Sequence, residues 1–174
     1  MQAALQAWDK QGRYVFSRRE LAKFFPQDSA KAFSESLNRH VHHGLIERAC
    51  RSVYVNQTAA SFDGSAIDRI AQILRSGCYN YVSLESALSD YGAISQVPVG
   101  RLTVMTTGRS GVYHTPYGTI EFTHTKRSVE NILENTAKTK VRPLRVAFKS
   151  TAWRDLKRVG RNTHLVDASE VENG

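Results

Sequence analysis

The hydrophobic period changes at Gly44, and that change limits what the first third of the chain can fold into. Before it, Phe33, Leu37 and Val41 recur every four residues, the spacing of one helical face, with Gly44 free to take the left-handed backbone that ends a helix. Asp28 is the expected N-cap of this helix, 29–43. After Gly44 the period is two: Leu45-Ile46 and Val53-Tyr54-Val55 flank a basic turn at Cys50-Arg51-Ser52 and read as a hairpin. Upstream, Ala3 to Lys10 favours helix, Gly12 ends it, and Tyr14–Phe16 is β-prone. Ser17 and Glu20 then have the spacing of a capping box opening a second helix, with Leu21, Phe24 and Phe25 as its apolar stripe and Pro26 beyond.

Three helices followed by a basic hairpin are the order of a winged helix-turn-helix, expected over residues 1–58. Residues 56–62, NQTAASF, are small and polar and read as a linker or domain boundary. A second domain, 59–174, is expected to be mixed. Ile67, Ile70, Ala71 and Leu74 mark an amphipathic helix stopped by Gly77, and Ser83 is placed to cap a helix from Leu84 to Tyr91. Arg101–Thr106, Val112–Thr115 and Thr119–His124 are rich in β-branched and aromatic residues, with turns at TGRSG and TPYG, which predicts a small antiparallel sheet. Residues 127–140 read as helix, Leu144–Phe148 as strand and Thr151–Val159 as a last basic helix. The fold class expected is therefore α+β.

Charge narrows the partners. The net charge of +8 is concentrated: residues 126–164 hold 11 basic and 3 acidic side chains, and residues 1–58 hold 9 and 5. Such clusters favour a polyanion, because each neutralised phosphate releases condensed counterions. No apolar run is long enough to span a membrane and the first residues have no leader pattern, so a cytoplasmic protein without a membrane partner is expected. Cys50 and Cys78 lack C-x-x-C spacing and read as reduced thiols. His40, His42 and His43 near Cys50 suggest a metal, but His40 and His43 lie three apart with His42 on a different face, Cys50 falls in the hairpin and no further ligand stands at helical spacing; neither metal nor cofactor is expected.

Catalysis is not expected either. Asp90 with Glu121-Phe122-Thr123 has the look of a nuclease carboxylate pair, yet a threonine stands where such sites set a lysine. Ser83, His114 and His124 lack a nucleophile elbow, which leaves helix capping as the role expected of Ser83. On the geometry of a groove-binding helix, Ser29, Lys31, Ser34 and Asn38 face base edges, with Arg39 nearer the backbone. Arg18, Arg19 and Lys23, with Arg48 and Arg51 in the hairpin, are expected on phosphates. The competing reading is a basic protein-docking surface. The stretch KTKVRPLRVAFKSTAWRDLKRVGRN admits a solvated face, a second DNA surface or a dock for an acidic partner.

The strings YVSLESALSDYG, TTGRS and TPYGTIEFTHT, with the ending Asp155-Leu156 and Arg158-Val159-Gly160-Arg161-Asn162, resemble the AbiEi family of antitoxins from type IV toxin–antitoxin systems. The likeness runs over nearly the whole length. It implies an N-terminal winged helix that binds inverted repeats in its own promoter, two copies per site. It also implies a C-terminal region that counters a nucleotidyltransferase-like toxin without needing a stable complex. Ser83, Glu85, Arg109, Ser110, Glu121, Arg158 and Arg161 are the residues it marks in that region. Two departures stand out: Ser52 replaces the glycine of the family's Arg-Gly-Val-Tyr hairpin, and Lys149-Ser150-Thr151-Ala152 replaces a Pro-Glu-Lys-Ala-like stretch. The alternative is a stand-alone winged-helix regulator whose C-terminal domain senses a ligand or partner.

Overall fold

The computed structural model describes residues 1–94, 99–167 and 171. Among them lie seven α-helices and two sheets in two compact units, Met1–Leu74 and Arg75–Gly174. No helix is long and apolar enough to cross a membrane.

The first unit runs α1 (Gln2–Asp9), β1 (Val15–Ser17), α2 (Arg18–Ala22), α3 (Ala30–His42), β2 (Glu47–Cys50), β3 (Val53–Val55) and α4 (Ala66–Leu74). Its three strands form an antiparallel sheet in the order β1-β3-β2. The core is Leu5, Phe16, Leu21, Phe33, Leu37, Ile46 and Tyr54, so the four-residue stripe of α3 faces inward, with Val41 packed at its margin. Trp8 packs against Phe16 and Phe24 at 5.0 and 5.2 Å between ring centroids. Ser17 and Glu20 make the expected capping box, and the Arg13 guanidinium donates to Glu20 at 2.6 Å. Helix α2 stops at Ala22, leaving Phe24 and Phe25 in the turn beyond it.

Two expectations change here. The cap of α3 is Ser29, whose hydroxyl accepts from the Ala32 amide at 3.2 Å, not Asp28; either residue type suits the position, and composition alone does not choose between neighbours. Residues 56–62 are not a loose linker. The Asp9 carboxylate accepts from the amides of Ala60 and Ser61 at 2.8 and 2.9 Å. Buried Asn56 binds both the amide and the hydroxyl of Thr58, and the Phe62 ring meets Tyr14 edge-on. Helix α4 packs on β1 and β3, so the units divide between Leu74 and Arg75, later than the expected division after residue 58.

The second unit runs β4 (Asn80–Val82), α5 (Leu84–Asp90), β5 (Arg101–Thr106), β6 (Gly111–Thr115), β7 (Gly118–His124), α6 (Val129–Glu134), β8 (Thr136–Ala137), β9 (Arg145–Ala147) and α7 (Lys149–Val159). The expected small antiparallel sheet is instead a mixed sheet of six strands, ordered β6-β7-β5-β4-β9-β8. The hairpin turn TPYG sends β7 back between β6 and β5, so β7 runs parallel to β5. Strand β4 is parallel to β9 on its other side. Both are three residues long, too short to carry a period in sequence.

The helix expected over 127–140 ends at Glu134. The Arg145 guanidinium donates to the carbonyls of Leu133 and Thr136 and to the Thr136 hydroxyl. It thus satisfies a helix-end carbonyl while pinning Thr136 as an edge strand beside β9.

Candidate functional site

In the first unit, α3 turns Phe33 and Leu37 to the core and Lys31 and Asn38, seven residues apart, outward on one face. Lys31, Asn38 and Arg39 are exposed and have no hydrogen-bonding or ion-pair partner among the described residues. The same holds for Arg19 and Lys23, and for Arg48 and Arg51 in the hairpin. Three other expected contacts are already engaged within the chain. Ser29 caps the helix. The Ser34 hydroxyl donates to the Ala30 carbonyl and accepts from Arg18 at 2.6 Å. Arg18 also lies over the Phe33 ring, at 5.3 Å from its centroid.

The hairpin is shaped by two backbone features. Register slips between Arg48 and Cys50, so Ala49 is an extra, bulged residue. At the tip Ser52 has φ 65°, the left-handed region. Its carbonyl accepts from the Arg18 amide at 2.8 Å, tying the tip to the start of α2. A hollow of 520 Å³ between them is lined by Arg18, Arg19, Phe25, Ala30, Phe33 and Ser52 among others.

The histidines at the end of α3 do not gather a metal site: among the described residues no three His, Cys, Asp or Glu side chains are so grouped. Burial lowers the His40 pKa, and the nearby N-terminus, Arg39 and His43 lower it further. Burial raises the Cys50 thiol.

In the second unit, residues from separate motif strings converge. Glu85 on α5 is 3% exposed, and its two oxygens receive Arg161 Nε at 3.1 Å, Asn162 at 2.9 Å and Arg161 Nη2 at 3.4 Å. Arg161 also pairs with Glu121 on β7, which takes a further bond from Arg101 at 2.8 Å. Burial disfavours the Arg161 charge, but the two glutamates outweigh it and raise its pKa. Glu85 is buried and Glu121 half-buried, both are held by Arg161, and the cluster fastens α5, the sheet and the segment after α7 together.

Ser83 belongs to a second knot, and its side chain does not cap α5. Its hydroxyl donates to Asp155 at 2.9 Å, as does Tyr81 at 3.2 Å, while Arg127 pairs with the other oxygen at 2.5 Å. Asp155 on α7 is fully buried; burial and then the Asp155 charge push the Tyr81 pKa upward. A carboxylate neutralised by Arg127 and closed to solvent is no general base, and Ser83 is sealed in with it. Between the two knots Leu84 is buried with φ 57°, a strained conformation for a leucine. That kink sends the neighbouring Ser83 and Glu85 to different partners.

Arg109 and Ser110 lie apart from both knots. The Arg109 carbonyl accepts from Arg75, and the Ser110 hydroxyl accepts from the His124 amide. The TTGRS glycine has a steric reason: a Cβ on Gly108 would come within 2.9 Å of Cys78 Sγ. Arg158 is exposed on α7. Of the pair at the centre of the buried knot, sequence marks Asp155 only as part of the ending string, with no role, and Arg127 not at all; an acidic residue on the otherwise apolar side of a basic helix was the available signal.

With this geometry in hand, no family model, no curated protein and no solved structure matches the chain.

Proposed function

We propose that this chain is a DNA-binding antitoxin and transcriptional autorepressor of the AbiEi type, acting in the cytoplasm and having no catalysis of its own. The first unit serves as a winged helix-turn-helix, with α3 in the major groove and the β2–β3 hairpin on the backbone. The observation that carries this reading is the outward face of α3. Lys31, Asn38 and Arg39 stand exposed and unpaired on a 13-residue helix, in the same small unit as a hairpin bearing Arg48 and Arg51. Such a helix is roughly 20 Å long, enough to follow one face of a major groove. Arg18 and Ser34, bonded to each other, orient the surface and contribute less to contact. Two copies bind an inverted repeat.

The antitoxin half of the proposal rests on the resemblance of YVSLESALSDYG, TTGRS and TPYGTIEFTHT to that family. Within it, Glu85, Glu121 and Arg161 maintain the fold of the second unit and do not touch the toxin directly. The test is fluorescence anisotropy of the full chain on its own upstream DNA and on a scrambled duplex, over a series of salt concentrations. Sequence-selective binding with a steep salt slope is the expected result. Equal, weak binding to both duplexes would overturn the repressor reading. Growth rescue on co-expression with an adjoining toxin gene tests the second half.

A further inference from the structure

The second unit carries a concentration of positive charge that neither knot uses. Arg154 and Arg158 stand four residues apart on α7 and so share a face, while Asp155 between them turns to the core. Together with Arg127, Ser128 and Asn131 they line a cavity of 440 Å³. Two of the three guanidinium groups are held in place. Arg127, its side chain 8% exposed, is fixed by Asp155 and donates to the Asn131 side-chain oxygen Oδ1 at 3.5 Å. Arg154 donates to Asn135 at 3.0 Å and to Thr151 at 3.4 Å. Arg158 has no partner among the described residues and is free to close on a ligand.

Charge then selects the ligand. The lining holds three guanidinium groups and no carboxylate, and of the three only Arg127 is paired, with buried Asp155, so two positive charges are left without an ion-pair partner among the described residues. Like charges held in one cavity raise the energy of the empty state, and planar forks of N–H donors match the oxygens of a phosphoryl group. None of the lining side chains is aromatic or aliphatic, so the lining offers no aromatic platform for a nucleobase. The space exceeds a single tetrahedral anion and suits a short phosphate chain.

We propose that this cavity binds a small phosphate-type oxyanion, inorganic pyrophosphate or the phosphate end of a small metabolite, clamped by Arg127, Arg154 and Arg158. The site is distinct from the DNA-binding surface proposed for the first unit and is tested separately from it.

Isothermal titration calorimetry of the full chain with sodium pyrophosphate, at ionic strength held constant with chloride, reads the site directly. Saturable binding of one anion per chain is expected. Arg158→Ala should weaken it by about tenfold or more without lowering the melting temperature of the free protein, because Arg158 makes no bond among the described residues and its removal relieves like-charge repulsion. Lys140→Ala, which removes the same charge from an exposed position outside the cavity, should leave binding intact. Absence of saturable heat, an unchanged Arg158→Ala variant, or equal loss in Lys140→Ala would each overturn the proposal. Displacement of pyrophosphate by short duplex DNA, with a lower DNA salt slope in Arg158→Ala, would overturn it too and reassign the arginines to a nucleic-acid backbone.

Discussion

Replacing Asp155 with alanine strikes the most fully enclosed charge of the second unit. The substitution strands Arg127, whose side chain is 8% exposed, and removes the acceptor of the Ser83 and Tyr81 hydroxyls. Breaking one side of a buried ion pair costs ~3–5 kcal/mol, mostly from the charge left behind. With a urea m-value of ~1.5 kcal/mol/M for a unit of this size, the unfolding midpoint falls by ~2–3 M. Each unit holds one tryptophan, Trp8 in the first and Trp153 in the second, so a Trp8→Phe background makes fluorescence report the second unit alone. Asp155→Asn keeps an acceptor for Ser83 and should fall between Asp155→Ala and the parent. Replacing both partners, Arg127→Met with Asp155→Leu, should recover part of the loss, since no charge is then stranded. A midpoint for Asp155→Ala within ~0.5 M of the parent, less than ~1 kcal/mol, would refute the view that this pair secures α7 to the sheet.

Three further outcomes follow from other sites. Ser52→Gly removes the left-handed strain at the hairpin tip and should stabilise the first unit by about 1 kcal/mol, read from Trp8 fluorescence during urea unfolding. Asn38→Ala should relax sequence preference at one operator position by about 1–3 kcal/mol, whereas Arg51→Ala should weaken all duplexes and reduce the salt slope by about one unit. Burial, reinforced by the hydrogen bond to Asp63, pushes the Tyr14 pKa up to about 12. Its contribution to stability is complete below the unfolded tyrosine value near 10 and is lost as pH rises through the folded one. Ultraviolet difference titration should show that late-ionising tyrosine disappear in Tyr14→Phe.

Much of the first unit was legible because its signals are local. The stripe Phe33-Leu37-Val41, the Ser17–Glu20 box and Gly44 each act within a few residues, and the elements they predict are present. What sequence hid depends on distant partners. Residues 56–62 look like a tether until Asp9 is seen holding their amides. Ser83 has the right identity for a cap, yet its hydroxyl donates instead to a carboxylate 72 residues away. The motif residues Glu85, Glu121 and Arg161 were found as strings, but only the fold places them in one ion-pair cluster. The arginine cavity joins the start of α6 to α7, and nothing in the run of basic residues marks which three converge.

The parallel pairing of β4 with β9 governs how this chain must be made. Every strand partner in the first sheet is in hand once Val55 has been synthesised, and that unit's last helix closes at Leu74. Strand β4 waits much longer, because Tyr81 and Val82 meet Arg145 and Val146 only after α5, four strands and α6 have appeared. Until then one edge of the strand that becomes central to the sheet stands open, the state in which strands pair with the wrong partner. Asp155, which locks Ser83 next to that strand, comes later still. Growth conditions that slow translation between Asn80 and Asp155 should therefore lower the soluble yield of the second unit before they affect the first.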